Sequence, residues 1–235
     1  MYSVTYLYHS GFLIETQNYY LIFDYYTQSG KYDFIQPQEL NNKKVIVFAS
    51  HFHQDHFDKT IFEWERELPQ IQYVLSNDIS KTKKQENILI VSPNKEYQLE
   101  DVSIKTFLSN DSGVAFLITA DGINIYHAGD LNWWHWNGES DTFNKEIALS
   151  YKKEIDQMEN ITIDIAFVPV DLRLEENYLL GIDYLMKKAN VIHVFPMHLW
   201  GKYEVFDLLE KEERTKTYKN KIEKIQKTNQ KFEFD

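Results

Sequence analysis

Short apolar or alternating runs bounded by turn residues dominate the chain, and they predict β-strands. The runs are Val4 to Tyr8, Phe12 to Thr16, Tyr19 to Asp24, Val45 to Ala49, Tyr73 to Ser76, Ile88 to Val91, Val102 to Phe107, Val114 to Ala120, Ile123 to His127, Ile163 to Val168 and Val191 to Phe195. Asp121 and Gly122 join two of these runs and are the strongest short hairpin signal in the sequence.

Helical spacing of apolar residues appears between and after the strand runs. It covers Phe57 to Leu68, Ile147 to Met158, Leu180 to Leu185 and a Lys/Glu-rich tail, Tyr203 to Lys227, which we expect to be a solvated surface helix. The strands come in two batches with helices after each, which predicts an α/β fold of two sheets packed face to face with helices outside. Because no repeat or Pro/Gly/Ser linker divides the chain, we expect a single domain over residues 1–235.

Composition narrows the chemistry that this fold can carry. The 235 residues are 43% hydrophobic and contain no Cys, so any metal must be held by His, Asp and Glu. The net charge of −11, with no basic stripe in the first 210 residues, makes nucleic acid a disfavoured partner. Met1 to Thr5 lacks the basic and apolar pattern of a signal peptide, and no apolar stretch approaches about 20 residues, so we expect a cytoplasmic protein without membrane contact.

A dense group of metal-binding side chains follows the apolar run that ends at Ser50. Three of the eight histidines and one Asp fall within the six residues His51-Phe52-His53-Gln54-Asp55-His56. His51 and His53 are two residues apart and can point to the same side of an extended segment. Such a loop can offer imidazole nitrogens and a carboxylate to one or two divalent ions, a set that suits Zn, Fe or Mn.

These residues resemble the metal motif HxHxDH of the metallo-β-lactamase-fold hydrolases, and the resemblance extends roughly from Tyr6 to Trp200. Asp24 matches the early Asp of that family, Asp130 resembles the strand-end Asp that bridges two metals, and His198 resembles the last histidine ligand. The resemblance implies a four-layer αβ/βα sandwich of metallo-β-lactamase type. The segment around His9 is similar to one in the branch that includes L-ascorbate-6-phosphate lactonase and small predicted metal-dependent hydrolases, where it lies near the site.

The resemblance also implies a role for each matching residue. The first metal would be held by His51 and His53, the second by Asp55, His56 and His198, with Asp130 between the two ions and Asp24 steadying the loop. The family usually supplies a third histidine to the first metal, and Ser109 stands at that position. Either Asp111 replaces the histidine as an oxygen ligand, or the first metal is weakly held, or the protein works with one metal.

Two other histidines lie near these positions in the sequence. His127 comes three residues before Asp130 and could be a metal ligand or a hydrogen-bond partner of one. His135 lies in the loop Leu131 to Trp136, whose three Trp residues either wall a pocket or simply pack the loop onto the body. His135 is the member of this loop to test for contact with substrate. Asp171 and Arg173 follow another strand and either line the same cleft or form a surface ion pair.

The residues and the resemblance together predict a metal-dependent hydrolase of a small or medium ester, lactone or phosphodiester, either neutral or anionic. Asp55 or Asp130 would orient the attacking water and take its proton. The acidic balance argues against a nuclease or RNA-processing member of the same superfamily. The missing third histidine would suit a metal-binding module that has lost catalysis. The sequence predicts no oligomeric state.

Overall fold

The computed structural model describes residues 1–28, 30–32, 34–79 and 85–235. In these parts of the chain two mixed β-sheets form. The strands are β1 Tyr2–Tyr6, β2 Phe12–Glu15, β3 Tyr19–Phe23, β4 Lys44–Ala49, β5 Gln72–Ser76, β6 Ile88–Val91, β7 Glu96–Leu99, β8 Val102–Leu108, β9 Val114–Ala120, β10 Ile123–His127, β11 Thr162–Pro169, β12 Asn190–Met197 and β13 Gln230–Phe234. The α-helices are α1 Asp141–Ile155, α2 Leu180–Lys188 and α3 Val205–Lys211. Short 3₁₀ segments cover Pro37–Leu40, Lys59–Arg66, Asp156–Met158, Leu172–Asn177, Glu213–Thr215 and Lys219–Lys221.

The order of the strands brings the loops of interest to one side of the molecule. The first sheet has the order β13-β1-β2-β3-β4-β5-β6, and the second has the order β12-β11-β10-β9-β8-β7. β3 and β4 are parallel neighbours, as are β10, β11 and β12. Parallel neighbours end at the same edge of a sheet, so the loops that follow these strands lie side by side.

Aromatic side chains from the two sheets form the core. The ring centroids of Phe12 in the first sheet and Phe167 in the second lie 4.1 Å apart, and those of Phe48 and Phe116 lie 5.5 Å apart. Tyr151 of α1 belongs to the same buried cluster, together with Ile155 and residues of α2, and so covers the outer face of the second sheet. A separate apolar cluster around Ile61 and Trp64 covers the outer face of the first sheet. This arrangement confirms the predicted α/β sandwich with two facing sheets.

The hairpin signal is confirmed, because β9 and β10 pair as neighbours with Ala120 opposite Ile123. Two of the predicted helices do not form as α-helices over the predicted ranges. The range 57–68 contains the 3₁₀ segment Lys59–Arg66, which buries Ile61 and Trp64, and no α-helix. The tail forms an α-helix only until Lys211. Beyond it, Tyr218 and Ile225 are buried, so the chain follows the protein surface instead of continuing a solvated helix.

Neither β7 nor β13 is among the predicted strands. Polar and apolar residues alternate in both, as is typical of half-buried strands, but each strand has only four or five residues and little apolar surface. β13 pairs with β1 at the edge of the first sheet. None of the helices in the described parts of the chain combines the length and apolar character needed to span a membrane.

Candidate metal centre

The HxHxDH motif leaves the first sheet at the end of β4 and turns tightly. Backbone N–H groups of His56 and Phe57 both donate to the His53 carbonyl oxygen, at 3.0 and 2.9 Å, and this turn reverses the chain. His51 and His56 are buried, whereas the His53 side chain is 41% exposed. The turn therefore presents two buried imidazoles and one accessible imidazole to the same region.

Asp24 fixes this loop from the end of β3. Its buried carboxylate accepts the Ser50 N–H at Oδ1, and it accepts the Ser50 Oγ–H and the His56 Nδ1–H at Oδ2, each at 2.7 Å. With its hydroxyl proton given to Asp24, Ser50 Oγ can accept the Nδ1–H of His51, which lies 3.0 Å away. Both rings are therefore held through Nδ1, and Nε2 of each ring faces away from these partners. This geometry agrees with the steadying role expected for Asp24.

Asp130 and His198 reach the same place from the second sheet. Asp130 Oδ1 lies 3.1 Å from His56 Nε2 and 3.5 Å from His198 Nε2, while Asp130 Oδ2 lies 3.5 Å from His51 Nε2. His198 Nδ1 donates to Asp171 Oδ2 at 2.7 Å. Its Nε2 is thereby aimed at Asp130, in the same way that Asp24 aims His56.

The side chains form two groups whose donor atoms all lie within 4.8 Å of one another. The first group is His51, His53, Asp111 and Asp130, and the second is His9, Asp55, His56 and His198. Each candidate ligand predicted from the sequence falls in the group that the resemblance implied, with Asp130 between the two. The second group also includes His9, whose Nε2 lies 3.3 Å from Asp55 Oδ2.

The spacing and hydrogen bonding of these atoms fit divalent ions. Among the described residues, Nε2 of His9, His51 and His56 and Oδ1 of Asp130 are buried without a hydrogen-bond partner. Orphaned polar atoms of this kind are rare in native proteins. Two donors at about 2.1 Å from one ion lie roughly 3.0 to 3.4 Å apart, close to the spacings found among these atoms.

Electrostatics also favours a cation. Burial lowers the pKa of His9 to about 3 and that of His51 to about 4, so both imidazoles are neutral donors at pH 7. Burial acts in the same direction on His56, but the carboxylates of Asp130 and Asp24 outweigh it and raise the pKa of His56 well above its ordinary value. The pKa of Asp130 is lowered despite burial, because His56 and His198 stabilise its charge. The centre thus contains buried, ionised carboxylates, whose negative charge a bound cation would stabilise.

The loop between β8 and β9 carries the residues that stand where the family's third histidine would be. Ser109 is buried, and its Oγ accepts the Asp111 N–H at 3.3 Å. The Asp111 carboxylate lies 3.8 Å from His53 Nδ1 and is 48% exposed. Gly113 lets this loop pack closely against the loop that carries the HxHxDH motif. A Cβ atom at position 113 would lie only 2.0 Å from the Ser50 carbonyl oxygen. Of the alternatives left open by the sequence, this geometry favours replacement of the histidine by Asp111.

Two predicted residues lie outside both groups. His127 donates from Nε2 to the Ser10 carbonyl oxygen at 2.9 Å and accepts the Gly129 N–H at Nδ1, so neither ring nitrogen is left for a metal. Burial lowers its pKa, which keeps the ring neutral. His135 is half-buried, and it is not among the residues that line the cleft above the centre, although two Trp residues of its loop are.

The cleft above the centre has a volume of about 270 Å³. It is walled mainly by aromatic and acidic residues. The lining residues are Asp55, Asn110, Asp111, Asp130, Trp134, Trp136, Phe143, Ile147, Arg173, His198 and Trp200. Trp200 was not identified from the sequence, because its place in the wall depends on how the chain turns after β12. The Gly201 that follows it was the one local sign of that turn.

A sandwich of two mixed sheets, with these candidate ligands at the ends of β4, β10 and β12, defines the class of metallo-β-lactamase-fold proteins. Residues 3–139 match the family model described as "Beta-lactamase superfamily domain". The chain therefore belongs to the beta-lactamase superfamily, as predicted. The predicted enzyme class, a metal-dependent hydrolase of this superfamily, is confirmed at that level.

Individual relatives agree with this membership. The chain is 24% identical over 231 residues to a Bacillus pumilus protein named as a metal-dependent hydrolase, with 89% of each chain covered. The fold is similar to that of Igni18, a metallo hydrolase from Ignicoccus hospitalis, with a TM-score of 0.62, 18% identity and 100% and 99% of the two chains covered. It is equally similar to the metallo-β-lactamase fold protein YhfI from Bacillus subtilis, with a TM-score of 0.62, 17% identity and 98% of each chain covered. At these identities the two structures show a shared fold.

Proposed function

We propose that this hydrolase works with two divalent ions held between the ends of the two sheets. The first ion would be bound by His51, His53, Asp111 and Asp130, and the second by His9, Asp55, His56 and His198, with Asp130 also facing the second. The observation that carries this proposal is that Nε2 of His51 and Nε2 of His56 are buried without hydrogen-bond partners among the described residues, although they lie 3.5 and 3.1 Å from the two carboxylate oxygens of Asp130. His198 Nε2 lies 3.5 Å from Asp130 Oδ1 as well. The shared core of the two sheets supports treating residues 1–235 as one domain.

The two ligand sets differ in chemistry, which bears on metal choice. The first contains two imidazoles and two carboxylates and is partly exposed at His53 and Asp111. The second contains three imidazoles and is almost completely buried. Oxygen-rich sites favour Mn or Fe, whereas imidazole-rich sites suit Zn or Fe. We therefore propose that the second site binds its ion more tightly and that Mn, Fe or Zn are the candidate metals.

The chemistry that bound ions supply here is charge stabilisation at the reacting centre and a water of lowered pKa. The protein's own residues would orient and deprotonate that water. Asp55 lines the cleft, and its pKa is lowered because the neighbouring imidazoles of His9 and His56 outweigh the effect of burial. An ionised carboxylate at this position can accept a proton from an attacking water. Asp130 is more deeply buried and is better placed to hold the two sites together.

The cleft fits a small substrate. Its volume of about 270 Å³ lies near the lower end of small-molecule sites, which span roughly 300 to 1,000 Å³. Its aromatic wall offers apolar contact beside the metal centre. We propose a small ester, lactone or phosphodiester as substrate. The net charge of −11 argues against a nuclease.

Metal content and hydrolysis measured on the same samples test this proposal. We expect about two ions per chain after dialysis against Mn²⁺ or Zn²⁺, and metal-dependent hydrolysis of 4-nitrophenyl acetate or bis(4-nitrophenyl) phosphate. His53→Ala and Asp55→Ala should each lose about one ion and most of the hydrolysis. His193→Ala is the matched control, because His193 lies on β12 and pairs with Glu223 instead of facing the centre.

Four results would contradict the proposal. The wild-type protein could bind no ion, or the His53 and Asp55 variants could hydrolyse at the wild-type rate. A loaded protein that turns over neither substrate would favour the module without catalysis. Binding and cleavage of single-stranded RNA at moderate salt would favour the nuclease instead.

A further inference from the structure

Arg173 is the only Arg or Lys side chain among the described residues that line the cleft. It follows β11 in the 3₁₀ segment Leu172–Asn177, and its side chain is 46% exposed. The carboxyl groups of Asp55, Asp111 and Asp130 line the same cleft. In our proposal these carboxylates are ligands of two dications, so Arg173 would be the cation left for another partner.

The guanidinium is held in a fixed orientation by one of its two edges. Nε lies 3.0 and 2.8 Å from the two oxygens of Asp171, and Nη2 lies 2.6 Å from Asp171 Oδ2. Asp171 is itself buried, and the same Oδ2 accepts the His198 Nδ1–H. The edge formed by Nη1 and the second N–H of Nη2 has no protein partner in the described parts of the chain. A guanidinium edge of this kind matches two oxygens of a carboxylate or phosphate.

Two indole rings complete the surroundings of Arg173. Its guanidinium carbon lies 5.8 Å from the ring centroid of Trp136 and 5.6 Å from that of Trp200. Both rings line the cleft, and they limit the positions that the guanidinium can take. Because the group is already oriented, binding through its free edge loses little side-chain freedom.

We infer that Arg173 forms an anion subsite, which recognises a carboxylate or phosphate group of the substrate beside the metal centre. Arg173 and His198 share the acceptor Asp171, so the anionic group would lie close to the reacting bond. The apolar part of the substrate would pack on the Trp134 and Trp136 rings. The preferred substrate is then a small aromatic or aliphatic ester that carries a negative charge. This inference rests on the proposed function only in so far as it assumes that an ester bond is hydrolysed at the metal centre.

A structural ion pair is the competing explanation, and the chain contains a matched example. Arg214 binds Glu212 through the same edge and with the same spacing in sequence, with Nε at 3.2 Å and Nη2 at 3.1 Å. That pair lies outside the cleft, and the Glu212 side chain is 24% exposed against 2% for Asp171. Arg214→Gln therefore serves as the control for Arg173→Gln.

The first experiment compares 4-acetoxybenzoate with the neutral 4-acetoxybenzamide, whose reacting esters are the same. We expect the metal-loaded protein to have a higher kcat/KM for the benzoate. Arg173→Gln should lower that value by about ten- to a hundredfold, the effect of one or two charge-assisted hydrogen bonds, and change the benzamide value by less than about threefold. Arg173→Lys keeps the positive charge but lacks the two-nitrogen edge of the guanidinium, so its kcat/KM for the benzoate should lie between those of the wild type and Arg173→Gln. Arg214→Gln should match the wild type. Equal losses on both esters would overturn the inference, because they would mean that Arg173 only positions Asp171 and His198.

The second experiment measures binding without turnover. Calorimetric titration of the metal-loaded protein with 4-acetamidobenzoate and 4-acetamidobenzamide should show tighter binding of the anion, and Arg173→Gln should remove that preference. If the anion is preferred through Arg173 but neither ester is hydrolysed, the subsite stands and the proposed hydrolysis fails. If 4-acetamidobenzoate and 4-acetamidobenzamide bind equally, or if the preference for the anion survives in Arg173→Gln, the subsite is overturned, whatever the rates of ester hydrolysis. Metal content measured on each variant separates these outcomes from loss of the ions.

Discussion

The hydrogen-bond partners of individual imidazoles determine what the metal centre can do. Asp24 and Asp171 each take an Nδ1–H, from His56 and His198 respectively, and leave the opposite nitrogen facing Asp130. Partners of this kind fix the tautomer of a metal-binding histidine and make it a better donor. His9 differs from both, because neither of its ring nitrogens has a hydrogen-bond partner among the described residues although the side chain is buried.

His9 therefore gives a sharp prediction at the scale of one residue. We expect His9→Ala to lower the affinity for the second ion by about tenfold or more, because one ligand is lost, and to leave the affinity for the first ion unchanged. Competition with a chromophoric chelator measures both affinities, with His193→Ala as the control. Two unchanged affinities would mean that His9 is no ligand.

Parts of this centre were predictable from single residues and parts were not. The HxHxDH motif could be identified from its density of histidines after an apolar run, whereas Asp24, Asp130 and His198 were identified through the resemblance to the family, whose order along the chain they match. His9 could be placed only near the site, because its contact with Asp55 depends on how the turn after β1 packs against another loop. The left-handed φ of 56° at His9, which aims the ring, leaves no trace in the sequence.

The two sheets are also joined away from the centre, by the turn between β9 and β10. Asp121 accepts hydrogen bonds from Thr16 Oγ1 and from the Asn18 backbone and side chain, at 2.7, 2.8 and 2.7 Å. Thr16 and Asn18 belong to the turn between β2 and β3 in the other sheet. Burial alone would raise the pKa of Asp121, but these hydrogen bonds outweigh it and hold the pKa below its usual range.

We predict a pH-dependent contribution of this link to stability. A carboxyl with a lowered folded-state pKa stabilises the fold above its unfolded pKa, about 4, and loses that effect as the pH falls through the folded value. Asp121→Asn keeps the left-handed turn, which Asn tolerates, and should reduce the free energy of unfolding by about 1 kcal/mol at pH 7, since solvent screens the exposed carboxylate. Urea unfolding should show a smaller difference at pH 3. An equal difference at both pH values would contradict this, and Glu139→Gln on an exposed loop is the control.

At the scale of elements, the sequence predicted the central strands well and the edges poorly. The buried runs of β3, β4, β9 and β11 are apolar enough to be recognised alone. Edge strands such as β13 are stabilised by pairing with a neighbour and carry polar residues, so their own sequence says little. The 3₁₀ form of Lys59–Arg66 is set by its packing over the first sheet, which a helical repeat does not show.

Across the whole molecule, negative charge is concentrated where the two sheets end. The net charge is −11, and Asp24, Asp55, Asp111, Asp130 and Asp171 all lie in or next to the centre. Without cations these carboxylates repel one another in a poorly solvated place. The fold and the bound ions should therefore stabilise each other.

Metal removal tests this coupling. An ion present at about 100 times its Kd adds about 2.7 kcal/mol to stability, which corresponds to a rise in Tm of roughly 5 to 10 °C for a chain of this size. We expect treatment with EDTA to lower the Tm by that amount and added Mn²⁺ or Zn²⁺ to restore it. His198→Ala should respond less than the wild type. A Tm that does not change with EDTA would contradict the coupling.

The most direct test of the central claim is a crystal structure of the metal-loaded protein with anomalous scattering measured at the absorption edge of the metal. A centre of two ions predicts two peaks, about 3.5 to 4 Å apart. One would lie among His51, His53 and Asp111, the other among His9, Asp55, His56 and His198, and Asp130 would contact both. Peaks elsewhere, or none in fully loaded crystals, would contradict it.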